Sequence, residues 1–208
     1  MIRLVAAIGF AVALVGIALH YRAFRAGSRA ETEAAFAADQ PAQGRLPGLT
    51  RLAYLLTLAS SVILALTGFG PLLLLARPLS GFSLLAHLAA APVFAVGLAY
   101  LTLMWAYRQR FEPGEWPGIK LLRHDVGDRR ESPGRFTFWE KISFWLVILL
   151  ALPVILSIVL SMFPLFGTDG QVRLLDLHRY SAVLLVMAIL VHTYLTIIHR
   201  MGPEKNRR

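Results

Sequence analysis

The 208-residue sequence predicts an all-α integral membrane protein, a helical bundle with five spans. Three observations predict this class. The composition is 57% hydrophobic and 16% charged with mean hydropathy +0.61, whereas soluble domains average about 45–50% apolar and about 25% charged. The apolar residues gather into five runs, each near the ~20 residues that a bilayer core requires. The 21 Lys and Arg residues fall between and after those runs, so the net charge of +9 reads as topology and contact with anionic lipid. No aromatic-studded basic motif points to nucleic acid. There is no cysteine, which excludes disulfides, iron–sulfur clusters, thiolate ligands and covalent c-type haem attachment. Any transition metal must therefore be held mainly by histidine.

The first run, residues 3–21, is followed by Arg22, Arg25 and Arg29 and preceded only by Arg3. A signal peptide has the opposite bias and a small-residue cleavage site, so this run reads as an uncleaved anchor. Residues 22–48 are Ala-rich and mildly charged, a linker with partial helix. The second and third runs, 51–76 and 82–107, are separated by a short turn at 77–81. Residues 108–139 form a long polar connection in which three Pro-Gly pairs interrupt any continuous helix. The fourth and fifth runs, 140–165 and 178–200, are joined by 166–177, read as a turn rich in Gly and Asp.

Placing the 21–51 loop, the 106–141 loop and the tail on one side puts 17 of the 21 basic residues there. Only Arg3, Arg77, Arg173 and Arg179 remain on the other side. The positive-inside rule then sets the N-terminus outside and the C-terminus in the cytoplasm. Residues 1–50 read as anchor and linker, 51–200 as the bundle proper, and 201–208 as a basic cytoplasmic tail.

An ionisable side chain inside a span is costly unless it faces protein. His178 and His192 lie fourteen residues apart in LLDLHRYSAVLLVMAILVHTY. At about 100° per residue they point to the same side, and at ~1.5 Å per residue they stand roughly 21 Å apart. One metal ion cannot bridge that distance, but two stacked cofactors can use both. His87 near the start of the third run is the natural partner for His178, because helix bundles place cofactor ligands on facing helices. Two neutral imidazoles on opposite faces of a porphyrin give a low-spin iron that carries electrons. Arg179 and Arg77 lie at the same level and are candidates for haem propionates, Arg179 competing with a plain interface-anchor role. For His192 the candidate partners are His20, Tyr54 and His199. His199 shares the helix of His192 and cannot clamp the opposite face. His124 sits in a polar loop and reads as solvated.

These residues resemble the four-helix di-haem cytochrome b subunits of respiratory formate dehydrogenases and NiFe hydrogenases, over about residues 51–200. RLAYLLTLASSVILALTG resembles the first span of that family, an apolar run ending in Thr-Gly. SLLAHLAAAPVFAVGLAYLTLMWAYRQRFEP resembles the second, with His87 at the haem-ligand position, and KISFWLVILLALPVILSIVLS resembles the third. LLDLHRYSAVLLVMAILVHTY resembles the fourth, whose ligand histidines are fourteen residues apart, and this is the most specific match. Two departures stand out. Tyr54 occupies the first-span ligand position, and Ser157-Ile158 replaces a Thr-Gly in the third span.

The resemblance implies a four-helix cytochrome b core at 51–200 plus one extra N-terminal helix. It implies haem b, two groups or one, bound through His87, His178 and His192. His20, outside the matched region, is the expected replacement for the ligand lost at Tyr54, the competing expectation being a single outer haem with Tyr54 or nothing opposite His192; Arg179 is the candidate propionate partner. It also implies electron transfer between a redox partner subunit, of cytochrome c, dehydrogenase or hydrogenase type, and quinone in a bacterial inner membrane. Such a subunit is an electron carrier within an oxidoreductase complex. The spans hold no paired carboxylates, nucleophile constellation or phosphate loop that a hydrolase or transferase would need. The rival expectation is a haem-free anchor or assembly subunit of a respiratory complex.

Overall fold

The computed structural model describes residues 1–28, 48–111 and 138–201. Readings that fall on 29–47, on 112–137 (with His124) and on 202–208 lie outside the described residues, as does the side chain of His199. Among the described residues the regular structure is entirely helical: α1 (Ile2–Ser28), α2 (Gly48–Gly70), α3 (Gly81–Trp105), α4 (Phe138–Ser161) and α5 (Gly167–Met201). All five contain stretches long and apolar enough to cross a membrane, with mean window hydropathies of 1.9 to 2.8. Even the best-covered of these windows is only 28% buried. That much exposed Leu, Val, Ile and Phe would drive aggregation in water, whereas lipid tails solvate it. The fold fits a multi-pass membrane protein.

Local sequence explains the helix ends. Pro71 lacks an N–H, and α2 widens there into a π-helical turn, Pro71–Leu75. The turn closes on Ala76 in the left-handed region (φ 52°), with the Ala76 and Arg77 N–H groups both donating to the Pro71 carbonyl. Gly81 (φ +58°) then starts α3, a conformation that glycine adopts without a Cβ penalty. Gly167 (φ +63°) does the same for α5, and Asp169 in its first turn complements the positive end of the helix dipole.

This last feature corrects the expected boundary. Residues 166–177 are not a loop: the turn is confined to Met162–Phe166, and α5 begins eleven residues before His178. The polar residues of 167–177 belong to a helical extension, because Gly, Thr, Asp and Gln at the start of a helix supply caps and dipole partners as readily as they supply turns. His178 therefore sits three turns inside a continuous helix, with its backbone fixed on both sides.

The helices pack as two tight hairpins, α2 with α3 and α4 with α5, which meet through a narrower contact between α3 and α4. Gly97 of α3 lets Thr57 of α2 approach so closely that a Cβ at position 97 would overlap the Thr57 hydroxyl. Small residues play this part between membrane helices generally. The core is a cluster of Phe94, Val147, Ala151, Leu185 and Ala188, with Leu64, Leu98, Leu150, Val154, Ile155 and Ile189 packed around it. It draws on α2, α3, α4 and α5, and none of its members comes from α1.

The α1 helix lies against α5 and the end of α2. Gly9 faces the Met187 thioether and Val183. Phe10 meets Phe69 edge-on at 5.0 Å, and Arg3 donates to the Leu73 carbonyl at 2.9 Å. That carbonyl belongs to the π turn.

Candidate functional site

The helical repeat places the histidines on the faces that line the core. On α3, His87 precedes Phe94 by seven residues, so the two share a face to within about 20°. On α5, Leu185 and Ile189 each lie within about 20° of His178, on either side of it, and His192 is about 40° from it. Phe94, Leu185 and Ile189 are all part of the core cluster, which thus lies between a His87–His178 end and a His192 end of the bundle.

At the first end, His178 Nδ1 donates to the Val154 carbonyl of α4 at 2.9 Å. His87 Nδ1 lies 2.9 Å from the Thr67 hydroxyl of α2. Donating its single proton to the Ile63 carbonyl, 2.6 Å away, leaves that hydroxyl to accept from His87 Nδ1–H. Gly68 abuts the same ring: a Cβ there would stand 3.3 Å from His87 Cε1. His87 thus bonds toward α2 and His178 toward α4, from α3 and α5 respectively.

The second end repeats the pattern. His192 Nδ1 lies 2.8 Å from Ser143 Oγ of α4, which in turn donates to the Glu140 carbonyl at 3.0 Å. The Ser143 oxygen therefore accepts from His192 Nδ1–H. Phe144 covers one side of the imidazole, with centroids 6.3 Å apart. Nearby, Trp145 Nε1 donates to the Gln109 carbonyl at 2.9 Å, tying the chain just after α3 to α4.

The carbonyl partner requires Nδ1–H at His178, and the same tautomer satisfies the network at His87 and His192, with Nε2 then presenting a lone pair. This is the form in which histidine ligates a metal, with the other ring nitrogen held by a hydroxyl or carbonyl. Among the described residues no group of three or more metal-ligating side chains converges, which disfavours a small-ion site. Axial haem ligation requires only two imidazoles from opposite sides. On donor chemistry the first end offers two imidazoles, from different helices, that could hold a haem. The second end supplies one imidazole.

The structure takes His20 elsewhere. Its Nδ1 lies 2.6 Å from the Tyr194 hydroxyl, and the two rings meet edge-on at 5.6 Å. Tyr194 is two residues beyond His192, hence about 200° around α5. Val183 and Met187, the other α5 residues against α1, share that outer side. The expected pairing of His20 with His192 is therefore corrected: α1 packs on the back of α5, and His20 faces away from the core. Tyr54 of α2 lies against Trp105 at the end of α3, with centroids 6.1 Å apart. Arg179 is ion-paired with Asp176 on its own helix at 3.0 Å, both side chains being more than half exposed. Such a pair forms without any propionate and suits an interface anchor.

Sequence reasoning missed Thr67, Ser143 and the Val154 carbonyl as partners of the three histidines. Thr67 carried a signal in the Thr-Gly that ends its span. Ser143 was only a hydroxyl in an apolar run, and a backbone carbonyl leaves no mark in sequence. No family model, no curated protein and no solved structure matches the chain.

Proposed function

We propose that this chain is a membrane cytochrome b with a four-helix core, α2 to α5, and α1 as an added peripheral helix. In this reading His87 and His178 are the axial ligands of one haem, and His192 offers a ligand for a second. The observation that carries the reading is the convergence of His87 and His178 from different helices, each with Nδ1 engaged and Nε2 free for iron. Haem supplies a one-electron couple when bound. The chain's own contribution is to hold the imidazoles in one tautomer, to exclude water with Phe94, Leu185 and their neighbours, and to space the two ends. At roughly 21 Å between ligand positions on α5, the core cluster lies in the path that electrons follow.

The function proposed is electron transfer between a redox partner subunit and membrane quinone, on the strength of the resemblance over 51–200. The same resemblance and the charge count support a bacterial inner membrane location with the N-terminus outside. The test is a reduced-minus-oxidised spectrum of the purified chain, with pyridine haemochrome quantified per chain. A ratio of one or two supports the reading, and a ratio of two assigns His192 to a second haem. A protein without a b-type alpha band refutes it.

One observation favours a second reading. Each of the three core histidines has its Nδ1 satisfied within the bundle, as a purely structural histidine would. A haem-free anchor subunit would show no visible absorbance, and His87→Ala would then alter stability alone.

A further inference from the structure

His87 and His192 reach hydroxyls, whereas His178 reaches a backbone carbonyl. The difference matters because a hydroxyl is chemically ambiguous. A threonine or serine oxygen facing an imidazole can donate to a bare Nδ1 or accept from Nδ1–H. In the first case the ring proton moves to Nε2, which is the dominant tautomer of histidine in water and one that cannot bind iron through Nε2.

Here the helices beneath offer each hydroxyl proton another acceptor. The Thr67 hydroxyl lies 2.6 Å from the Ile63 carbonyl, and the Ser143 hydroxyl 3.0 Å from the Glu140 carbonyl. Those bonds run back along α2 and α4, four and three residues respectively. Each hydroxyl is left as an acceptor aimed at Nδ1, at 2.9 Å for His87 and 2.8 Å for His192. Neither Thr67 nor Ser143 is on the helix that carries its histidine.

We infer that Thr67 and Ser143 are positioning residues: each relays a backbone carbonyl of a neighbouring helix to an imidazole and fixes the tautomer that presents Nε2 to the core. The inference rests on the cytochrome reading for its purpose, but its geometry stands without it. Two helices are thereby coupled at each end, α2 to α3 through Thr67 and α4 to α5 through Ser143. His178 is the built-in control, because its acceptor, the Val154 carbonyl, is beyond the reach of side-chain substitution.

The test uses the full-length chain in detergent with 15N-labelled histidine, His→Gln variants assigning the resonances. In haem-free protein the nitrogen shifts are expected to show Nδ1 protonated at His87, His178 and His192. Thr67→Val, which keeps the shape and removes the hydroxyl, is expected to release the tautomer of His87 alone. Ser143→Ala is expected to do so at His192 alone, with His178 unchanged in both variants. Titration with haemin is expected to show affinity falling about 10- to 100-fold at the altered end. Thr67→Ser and Ser143→Thr are expected to restore both readouts, which loss of packing alone would not predict.

Nε2 protonation of His87 and His192 in the wild type overturns the inference, whatever the haem content. So do unchanged tautomers and unchanged haemin affinity in Thr67→Val and Ser143→Ala. A wild type with the expected tautomers that takes up no haemin instead sinks the cytochrome reading, and leaves the two hydroxyls without a ligand-positioning role.

Discussion

Replacing Gly97 by alanine probes the seam that keeps α2 and α3 together, and with it the contact between Thr67 and His87. A Cβ at position 97 would overlap the Thr57 hydroxyl and stand 3.3 Å from Thr57 Cβ. Rotating the hydroxyl away relieves the oxygen contact only, and it breaks the 2.7 Å bond from Thr57 Oγ1 to the Ala53 carbonyl. A side-chain hydrogen bond within a membrane protein contributes on the order of 0.6 kcal/mol. The remaining overpacking against Thr57 Cβ costs about 1–3 kcal/mol. Together these predict a loss of about 2 kcal/mol, or about 30-fold in the folding equilibrium. The assay is reversible unfolding in mixed detergent micelles, followed by helical circular dichroism, for the wild type, Gly97→Ala, Thr57→Ala and the double variant. Thr57→Ala removes the obstructing oxygen and leaves the 3.3 Å contact with Cβ, so Gly97→Ala is expected to cost less in the Thr57→Ala background than in the wild type. A neutral Gly97→Ala, or a cycle in which the two changes simply add, would refute the close-approach account.

Other outcomes follow from the same geometry. His87→Ala and His178→Ala are each expected to abolish the haem signal at the first end while His192→Ala spares it, read by pyridine haemochrome per chain. His20→Ala is expected to leave haem content unchanged, because His20 bonds Tyr194 on the outer side of α5. Its unfolding cost should match that of Tyr194→Phe, about 1 kcal/mol, and the double variant should cost no more than either; loss of haem in His20→Ala would reinstate it as a ligand. Arg179→Ala is expected to change stability by less than about 0.5 kcal/mol and haem content not at all, since its partner Asp176 is an exposed neighbour on the same helix.

Much of the fold was legible because its causes are local. Five apolar runs of bilayer length became five helices, since backbone hydrogen bonds inside a membrane have to be satisfied within each segment. The boundary of α5 was not legible. Gly167, Asp169 and Gly170 have the composition of a turn, and only the packed helix shows that they extend α5 by eleven residues before His178.

The candidate site divides along the same line. His178 and His192 share a face by the arithmetic of a single helix, and the sequence by itself determined that. It also determined that cysteine chemistry is excluded. Which face of α5 receives α1 was decided only by the tertiary structure. Gly9 against Met187, Phe10 against Phe69 and His20 against Tyr194 together select the outer side, and no periodicity within α1 encodes that choice. The proton positions on His87 and His192 were decided the same way. They depend on Thr67 and Ser143, which are 20 and 49 residues away in the chain and meet the imidazoles only when neighbouring helices dock. Helix formation is short-range, whereas the orientation of a ligand is fixed by hydrogen bonds between helices. The sequence can therefore name a ligand residue, but docking decides what that residue faces.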